Sequence, residues 1–243
     1  EDNVKGMYDK ARAAFKIVEF WPQDKVDDMV LAVGWELQKK ETAEELARLA
    51  VESGLGVYED KVHKIGTKVR GTLYDQIGVK TCGLVEEDKA KGIRRYAKPI
   101  GVIANVVPCT NPESTVCCIA LSTLKTRNAI ICSPHPRTEL ATYTTVEHIR
   151  KALAKVGAPV DLVQCIRHTS NEKTQELMAN CDYAVATGGA ALVKVVYAAG
   201  VPAQTVGAGN VVSIVDSTVK DIPTMAAKLV KSKTANNAAS CSS

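Results

Sequence analysis

An α/β fold, with a mostly parallel sheet covered by helices on both faces, follows from three features of the chain from Pro99 onward. Strand-like runs such as Ile100-Gly101-Val102-Ile103-Ala104-Asn105-Val106-Val107 and Ala129-Ile130-Ile131-Cys132 lack regular polar alternation, as strands buried on both faces do. Amphipathic helical stretches separate these runs. Turns rich in glycine, proline and polar residues join each strand to the next helix.

The first eighty residues read as helices that precede this sheet. Val26, Met29, Val30, Val33 and Leu37 fall on one helical face. Leu46, Leu49 and Ala50 continue a second helix, which Gly54 should end as a C-terminal glycine cap. Glu59 to Ile77 is a third, weakened by Gly66 and Gly71. The charged, turn-rich stretch from Val85 to Gly92 reads as the tip of a solvent-exposed hairpin.

Within the α/β portion, the strand ending at Val107 leads through Pro108 to a helix from about Glu113 to Lys125. The strand Ala129–Cys132 is followed by a helix with Val146, Ile149, Leu153 and Val156 on one side. Leu162–Cys165 and Tyr183–Ala186 are further short strands, with helices near 170–179 and 190–199. Val211 to Val215 reads as another strand, and Ile222, Met225, Ala226, Leu229 and Val230 line one face of a last helix.

Composition excludes several function classes. With 31 basic and 27 acidic residues the net charge is only +4, and no lysine/arginine run exceeds two, which argues against nucleic acid. No apolar stretch approaches the ~20 residues that cross a bilayer. Glu1-Asp2-Asn3-Val4-Lys5 lacks the basic start and apolar core of a signal peptide. The eight cysteines (82, 109, 117, 118, 132, 165, 181 and 241) form no CxxC pair and no zinc-like spacing with histidine, so no metal site is expected. Several sit in apolar segments and read as reduced core thiols, which implies a cytoplasmic protein.

In a sheet of this kind ligands bind beyond the carboxyl ends of the strands. Four turns there are chemically loaded: Pro108-Cys109-Thr110-Asn111-Pro112, Ser133-Pro134-His135-Pro136-Arg137, Thr187-Gly188-Gly189, and Gly207-Ala208-Gly209-Asn210. No G-x-G-x-x-G fingerprint follows any strand. The Gly188-Gly189 pair still offers backbone N–H groups at a helix start, where an anion can be held. Each turn alone is more often mere punctuation; four of them on one sheet edge, followed by an exposed thiol, point together to a site. His135 is read either as a surface residue of a proline-rich loop or as a cofactor contact, and its turn favours the second. Cys241, among small polar neighbours in Ala239-Ser240-Cys241-Ser242-Ser243, is an accessible thiol suited to a nucleophile; in isolation such a tail cluster is more often surface. Cys117 and Cys118, in a helix of small apolar residues, read as packing.

Taken together these segments resemble the coenzyme-A-acylating aldehyde dehydrogenases. The resemblance is carried by Pro99-Ile100-Gly101-Val102-Ile103, Thr110-Asn111-Pro112, Leu124-Lys125-Thr126-Arg127-Asn128-Ala129 and Ser133 to Arg137. Ala186-Thr187-Gly188-Gly189, Val206-Gly207-Ala208-Gly209-Asn210 and Ser232-Lys233-Thr234 with Cys241 complete it, in unbroken order from about Glu52. It implies an aldehyde-dehydrogenase-like, Rossmann-type fold, with N-terminal helices and a dinucleotide-binding domain over 1–230. Residues 231–243 would then begin a catalytic domain whose remainder, with any oligomerisation strand, lies beyond Ser243.

The resemblance implies an NAD- or NADP-dependent enzyme with coenzyme A as co-substrate. Cys241 would be the nucleophile and Asn111 a side-chain donor to the oxyanion. Pro108, Cys109, Thr110, Ser133, His135, Pro136, Arg137, Thr187, Gly188, Gly189, Val206, Gly207, Ala208 and Gly209 would form the cofactor turns. Hydrolytic relatives carry a glutamate before the second glycine pair, placed to activate water; here Val206 stands there. Without that base a thiol outcompetes water near neutral pH, which favours transfer to coenzyme A.

The serines around Cys241 resemble the sulfoacetaldehyde branch of the family more than the acetaldehyde branch found in bifunctional aldehyde-alcohol dehydrogenases. Ala235-Asn236 departs from the aromatic-acidic pair of both branches. A homo-oligomer is expected, and no nucleic-acid or membrane partner. The rival readings are a non-acylating aldehyde dehydrogenase, an enzyme reducing an acyl phosphate, and a nucleotide-binding module without catalysis.

Overall fold

The computed structural model describes residues 3–207, 209 and 211–239. Four helices lead the chain: α1 (Val4–Val18), α2 (Gln23–Gln38), α3 (Lys40–Val51) and α4 (Tyr58–Gln76). The expected stripe of α2 is buried from Val26 to Leu37. Gly54 adopts a left-handed φ of 81° just past α3, the conformation a glycine cap requires. Helix α1 has no counterpart in the periodicity reading, although Ala11, Ala14, Phe15 and Val18 form a buried stripe at helical spacing and Val4 is buried with them. Its start is nonetheless marked: Asn3 Oδ1 accepts from Gly6 N at 3.0 Å, an asparagine N-cap.

Strands β1 (Gly83–Asp88) and β2 (Ile93–Ala97) form the expected antiparallel hairpin, with Glu87 paired to Arg94 and Glu86 to Arg95 across it. The alternating unit follows as β3 (Val102–Val106), α5 (Pro112–Lys125), β4 (Ala129–Ser133), α6 (Glu139–Lys155) and β5 (Val163–Cys165). It continues as α7 (Asn171–Asn180), β6 (Tyr183–Thr187), α8 (Ala190–Ala198), β7 (Ala203–Val206) and α9 (Ile222–Thr234). Among the described residues the second sheet has five parallel strands in the order β5-β4-β3-β6-β7. The chain runs outward from β3 to β5, then returns to lay β6 on the other side of β3. Right-handed crossovers therefore put α5 and α6 on one face and α7 and α8 on the other. Strands β3 and β4 are buried throughout, as their unbroken apolar runs require.

The Leu124–Ala129 motif anchors this core. Asn128 Oδ1 accepts from Ile100 N at 2.6 Å and Gly101 N at 2.8 Å, tying the entry of β3 to that of β4. Buried Arg127 donates to the carbonyls of Glu19, Thr81 and Ala97, joining α1's exit and the hairpin base to the same turn.

One assignment is corrected. The strand expected at Val211–Val215 is not formed: no strand of the described residues lies against it, and Val212 and Ile214 are 82% and 91% exposed. Among the described residues the sheet's edge strand on this side is instead β7, whose burial alternates. Helix α9 has the expected stripe but buries none of it among the described residues. Among the described residues no helix is long and apolar enough to cross a membrane.

Candidate active site

The strand register brings the loaded turns to one edge. Val106 of β3 pairs with Ser133 of β4 and Ala186 of β6, and Thr187 pairs with Val206 of β7. The order reverses between β3 and β6, where two strands' connections diverge and leave a crevice. A cleft of 850 Å³ opens there. Of the expected cofactor residues it is lined by Pro108, Cys109, Thr110, Ser133, His135, Pro136, Thr187, Gly188, Gly189, Gly207 and Gly209. Ala208 and the expected nucleophile Cys241 lie outside the described residues.

Two of the expected cofactor residues, Arg137 and Val206, do not line the cleft, and neither does the expected donor Asn111. Arg137 Nη2 donates to the carbonyl of Ser53 at 2.6 Å, so its guanidinium ties the α3–α4 connection to the turn after β4. Val206 is half exposed; its carbonyl accepts from Gly188 N at 2.9 Å, and its backbone thus holds the glycine pair in place.

Hydroxyls, one imidazole, the Asn171 amide and the Glu172 carboxylate are among the cleft's polar groups. Ser133 Oγ lies 2.7 Å from Thr174 Oγ1 and 3.2 Å from Thr169 Oγ1. His135 Nδ1 accepts from Arg137 N at 3.2 Å, so the neutral ring carries its proton on Nε2. Partial burial, and then the Arg137 charge, hold His135 below the usual imidazole range, which favours that neutral form. Helix α8 begins immediately after Gly189, leaving its first backbone N–H groups beside the cleft. A Cβ at Gly189 or Gly209 would meet no protein atom within 4 Å, so a ligand can approach the backbone closely there.

Sequence reasoning missed the turn between β5 and α7. Thr169, Ser170, Asn171, Glu172 and Thr174 all line the cleft, and Ser170 caps α7 by accepting from Lys173 N. The signal was present, since this too is a polar strand-to-helix turn with an N-cap serine.

Asn111 begins α5 and is 7% exposed. Its Nδ2 donates to the carbonyl of Ala239 at 2.9 Å, across 128 residues of sequence. Ala238, with a left-handed φ of 56°, lines the cleft. The segment that leads to Cys241 is thereby drawn to the N-terminus of α5. The thiols of Cys117 and Cys132 are different in kind. Burial pushes Cys117 well above the usual thiol range and Cys132 up to about 12, so both stay protonated core residues.

The sequence profile of the aldehyde dehydrogenase family matches residues 1–243. A sulfoacetaldehyde dehydrogenase of an Acholeplasma species is 43% identical over 96% of this chain and 48% of its own length. An acetylating aldehyde dehydrogenase from Geobacillus thermoglucosidasius superposes with a TM-score of 0.91 at 35% identity, covering 96% of this chain and 52% of that one. A Rhodopseudomonas palustris propionaldehyde dehydrogenase with bound propionyl-CoA does so at 0.88 and 30% identity, over 99% and 53%. The chain thus spans about half the length of the relatives it matches. Matched along its full extent in sequence and over nearly all of it in structure, the chain belongs to the aldehyde dehydrogenase family.

Proposed function

We propose that the complete protein is an NAD(P)-dependent, coenzyme-A-acylating aldehyde dehydrogenase in which Cys241 is the nucleophile and Asn111 a donor to the oxyanion. The observation that carries this reading is the hydrogen bond from Asn111 Nδ2 to Ala239 O, which couples the α5 N-terminus to the chain two residues before Cys241. An amide NH2 has two hydrogens. One is given to Ala239; the other makes no hydrogen bond among the described residues, and it can meet an oxygen that gains charge when the thiolate adds to an aldehyde.

The cleft fits a dinucleotide: it lies at the strand-order reversal, has a helix N-terminus beside it, and presents glycine backbone where a Cβ would meet only open space. A bound NAD or NADP supplies the acceptor for the hydride. The chain's own parts do the rest. Cys241 adds to the carbonyl carbon, giving a thiohemiacetal; loss of hydride leaves an acyl thioester on Cys241; and the coenzyme A thiol displaces it, giving acyl-CoA and free Cys241. Val206 provides no general base for water at the position where hydrolytic relatives carry one, which supports a thiol as the second nucleophile.

Sulfoacetaldehyde is the substrate we favour, on the serines flanking Cys241 and the similarity to the Acholeplasma enzyme; the alternative is acetaldehyde or another short aldehyde. The full-length protein, assayed with NAD and NADP and a panel of short aldehydes, tests both parts. Acyl-CoA formation fastest with sulfoacetaldehyde is expected. A clear preference for an uncharged aldehyde would overturn the substrate, and product formed only with phosphate would overturn the acylating chemistry.

A further inference from the structure

The two sides of the cleft differ in chemistry. Toward β6 and β7 it is walled by glycine backbone, the start of α8 and Ala238, on the way to Cys241. Toward β4 and β5 it is walled by hydroxyls, His135 and Glu172. Hydride leaves the carbon bonded to Cys241, so a nicotinamide belongs on the first side. The adenosine end of the same dinucleotide then falls on the second.

The turn that carries Glu172 is held firmly against that second side. Thr169 N donates to Glu139 Oε1 at 2.7 Å, and the Ser133 hydroxyl meets both Thr169 and Thr174. Glu172 is the second residue of α7 and is exposed. Hydrogen bonds from its own backbone N–H and from the Ser170 hydroxyl hold its carboxyl below the usual range, so it is ionised at neutral pH.

No cation answers this charge within the cleft. Among the described residues, none that lines it is a lysine or arginine, and Glu172 is its one carboxylate. The cations of the neighbouring turns are engaged elsewhere. Arg137 donates to Ser53 O, Lys173 Nζ donates to His168 O at 2.7 Å, and the Arg167 guanidinium stands 4.1 Å over the Tyr143 ring. A ribose 2′-phosphate, doubly charged at neutral pH, would meet a carboxylate there with nothing to neutralise it. The hydroxyls of an unmodified ribose can instead donate to that carboxylate.

We propose that Glu172 is a specificity-determining residue that selects NAD over NADP, by accepting from the adenosine ribose hydroxyls and repelling a 2′-phosphate. The inference rests on the dinucleotide reading of the cleft and narrows it to one cofactor.

Calorimetric titration of the full-length protein with NAD and with NADP, without aldehyde or coenzyme A, tests it by binding alone. NAD is expected to bind tighter by about 10–10²-fold, the size of one hydrogen bond to a charged group. Adenosine 5′-monophosphate and adenosine 2′,5′-bisphosphate, which differ only in the 2′-phosphate, should follow the same order. Glu172→Gln keeps an acceptor but removes the charge, and should lower the NAD/NADP affinity ratio about tenfold. Glu172 is exposed and the Ser170 cap remains, so this variant should fold. NADP bound as tightly as NAD by the wild type, or a ratio unchanged in Glu172→Gln, would overturn the proposal. Binding of neither dinucleotide would sink the reading of the cleft itself, and the proposal with it.

Discussion

Lys61 Nζ lies 3.6 Å from Glu113 Oε1, and neither side chain reaches solvent. The same ammonium donates to the carbonyl of Thr110 at 2.8 Å, so α4 is fastened to the turn that carries Asn111. Burial pushes the Glu113 carboxyl above the usual carboxylate range, and the Lys61 charge works against that push. A pair so placed adds little over apolar packing, but breaking it strands one charge. Lys61→Met is therefore expected to destabilise the protein by about 3–5 kcal/mol, and Lys61→Met with Glu113→Leu to recover most of that loss. Urea denaturation reads both; a single variant as stable as the wild type would show that the pair does not fasten the turn.

Glu36 joins α2 to α6 by a second route. It is buried, which works to raise its pKa, yet hydrogen bonds from Lys39 at 2.8 Å and Lys155 at 2.9 Å bring it down to about 2. A carboxyl lowered in the folded state stabilises fully above its unfolded value near 4.5, and the contribution is lost as pH falls toward 2. Glu36→Gln should cost on the order of 1–3 kcal/mol at pH 7, allowing for screening of the exposed lysines. It should also flatten the decline of stability between pH 4.5 and 2. Denaturation midpoints for both proteins across that range check it; parallel curves would mean that Glu36 titrates alike folded and unfolded.

The parts of this fold legible in the sequence are those whose burial is decided locally. The unbroken apolar runs of β3 and β4 and the stripe of α2 announce themselves, because each residue's neighbours in sequence share its environment. Val211–Val215 misled for the converse reason: its β-branched residues have strand propensity, but a strand forms only against a partner. Cleft residues at the ends of legible strands could be named in advance. Lys61 and Glu113 could not, since a lysine on a polar helix looks solvated until the fold places α5 over it. The link from Asn111 to Ala239 spans 128 residues and has no local signature.

Thiol reactivity should rank by environment. Cys117, Cys118, Cys132 and Cys181 are all raised by burial, so iodoacetamide should label them slowly, and Cys82 and Cys109, which are partly exposed, somewhat faster. In the full-length enzyme Cys241 is expected to outpace them all, and cofactor should alter its rate. Cys241→Ala should abolish aldehyde oxidation while leaving nucleotide binding nearly intact, because it removes the nucleophile and none of the proposed cofactor contacts. Turnover above a few per cent of wild type, with the substitution verified by mass, would exclude a covalent intermediate at this position.

Val206 tests the choice between coenzyme A and water. Its carbonyl holds Gly188 and its register partner is Thr187, but its side chain is 46% exposed, so replacing it leaves the β6–β7 pairing in place. Val206→Glu should therefore fold, and a carboxylate there is expected to take a proton from water attacking the thioester. The wild-type full-length enzyme, given aldehyde and cofactor but no coenzyme A, should release one enzyme equivalent of reduced cofactor in a burst and then stall as the acyl-enzyme. Val206→Glu should shorten that stall and release free acid. The two measurements fail differently: an unrelieved stall in the variant means only that the glutamate does not reach the thioester. Rapid steady-state formation of free acid by the wild type would instead mean that water is already the second nucleophile, and that a base other than residue 206 activates it.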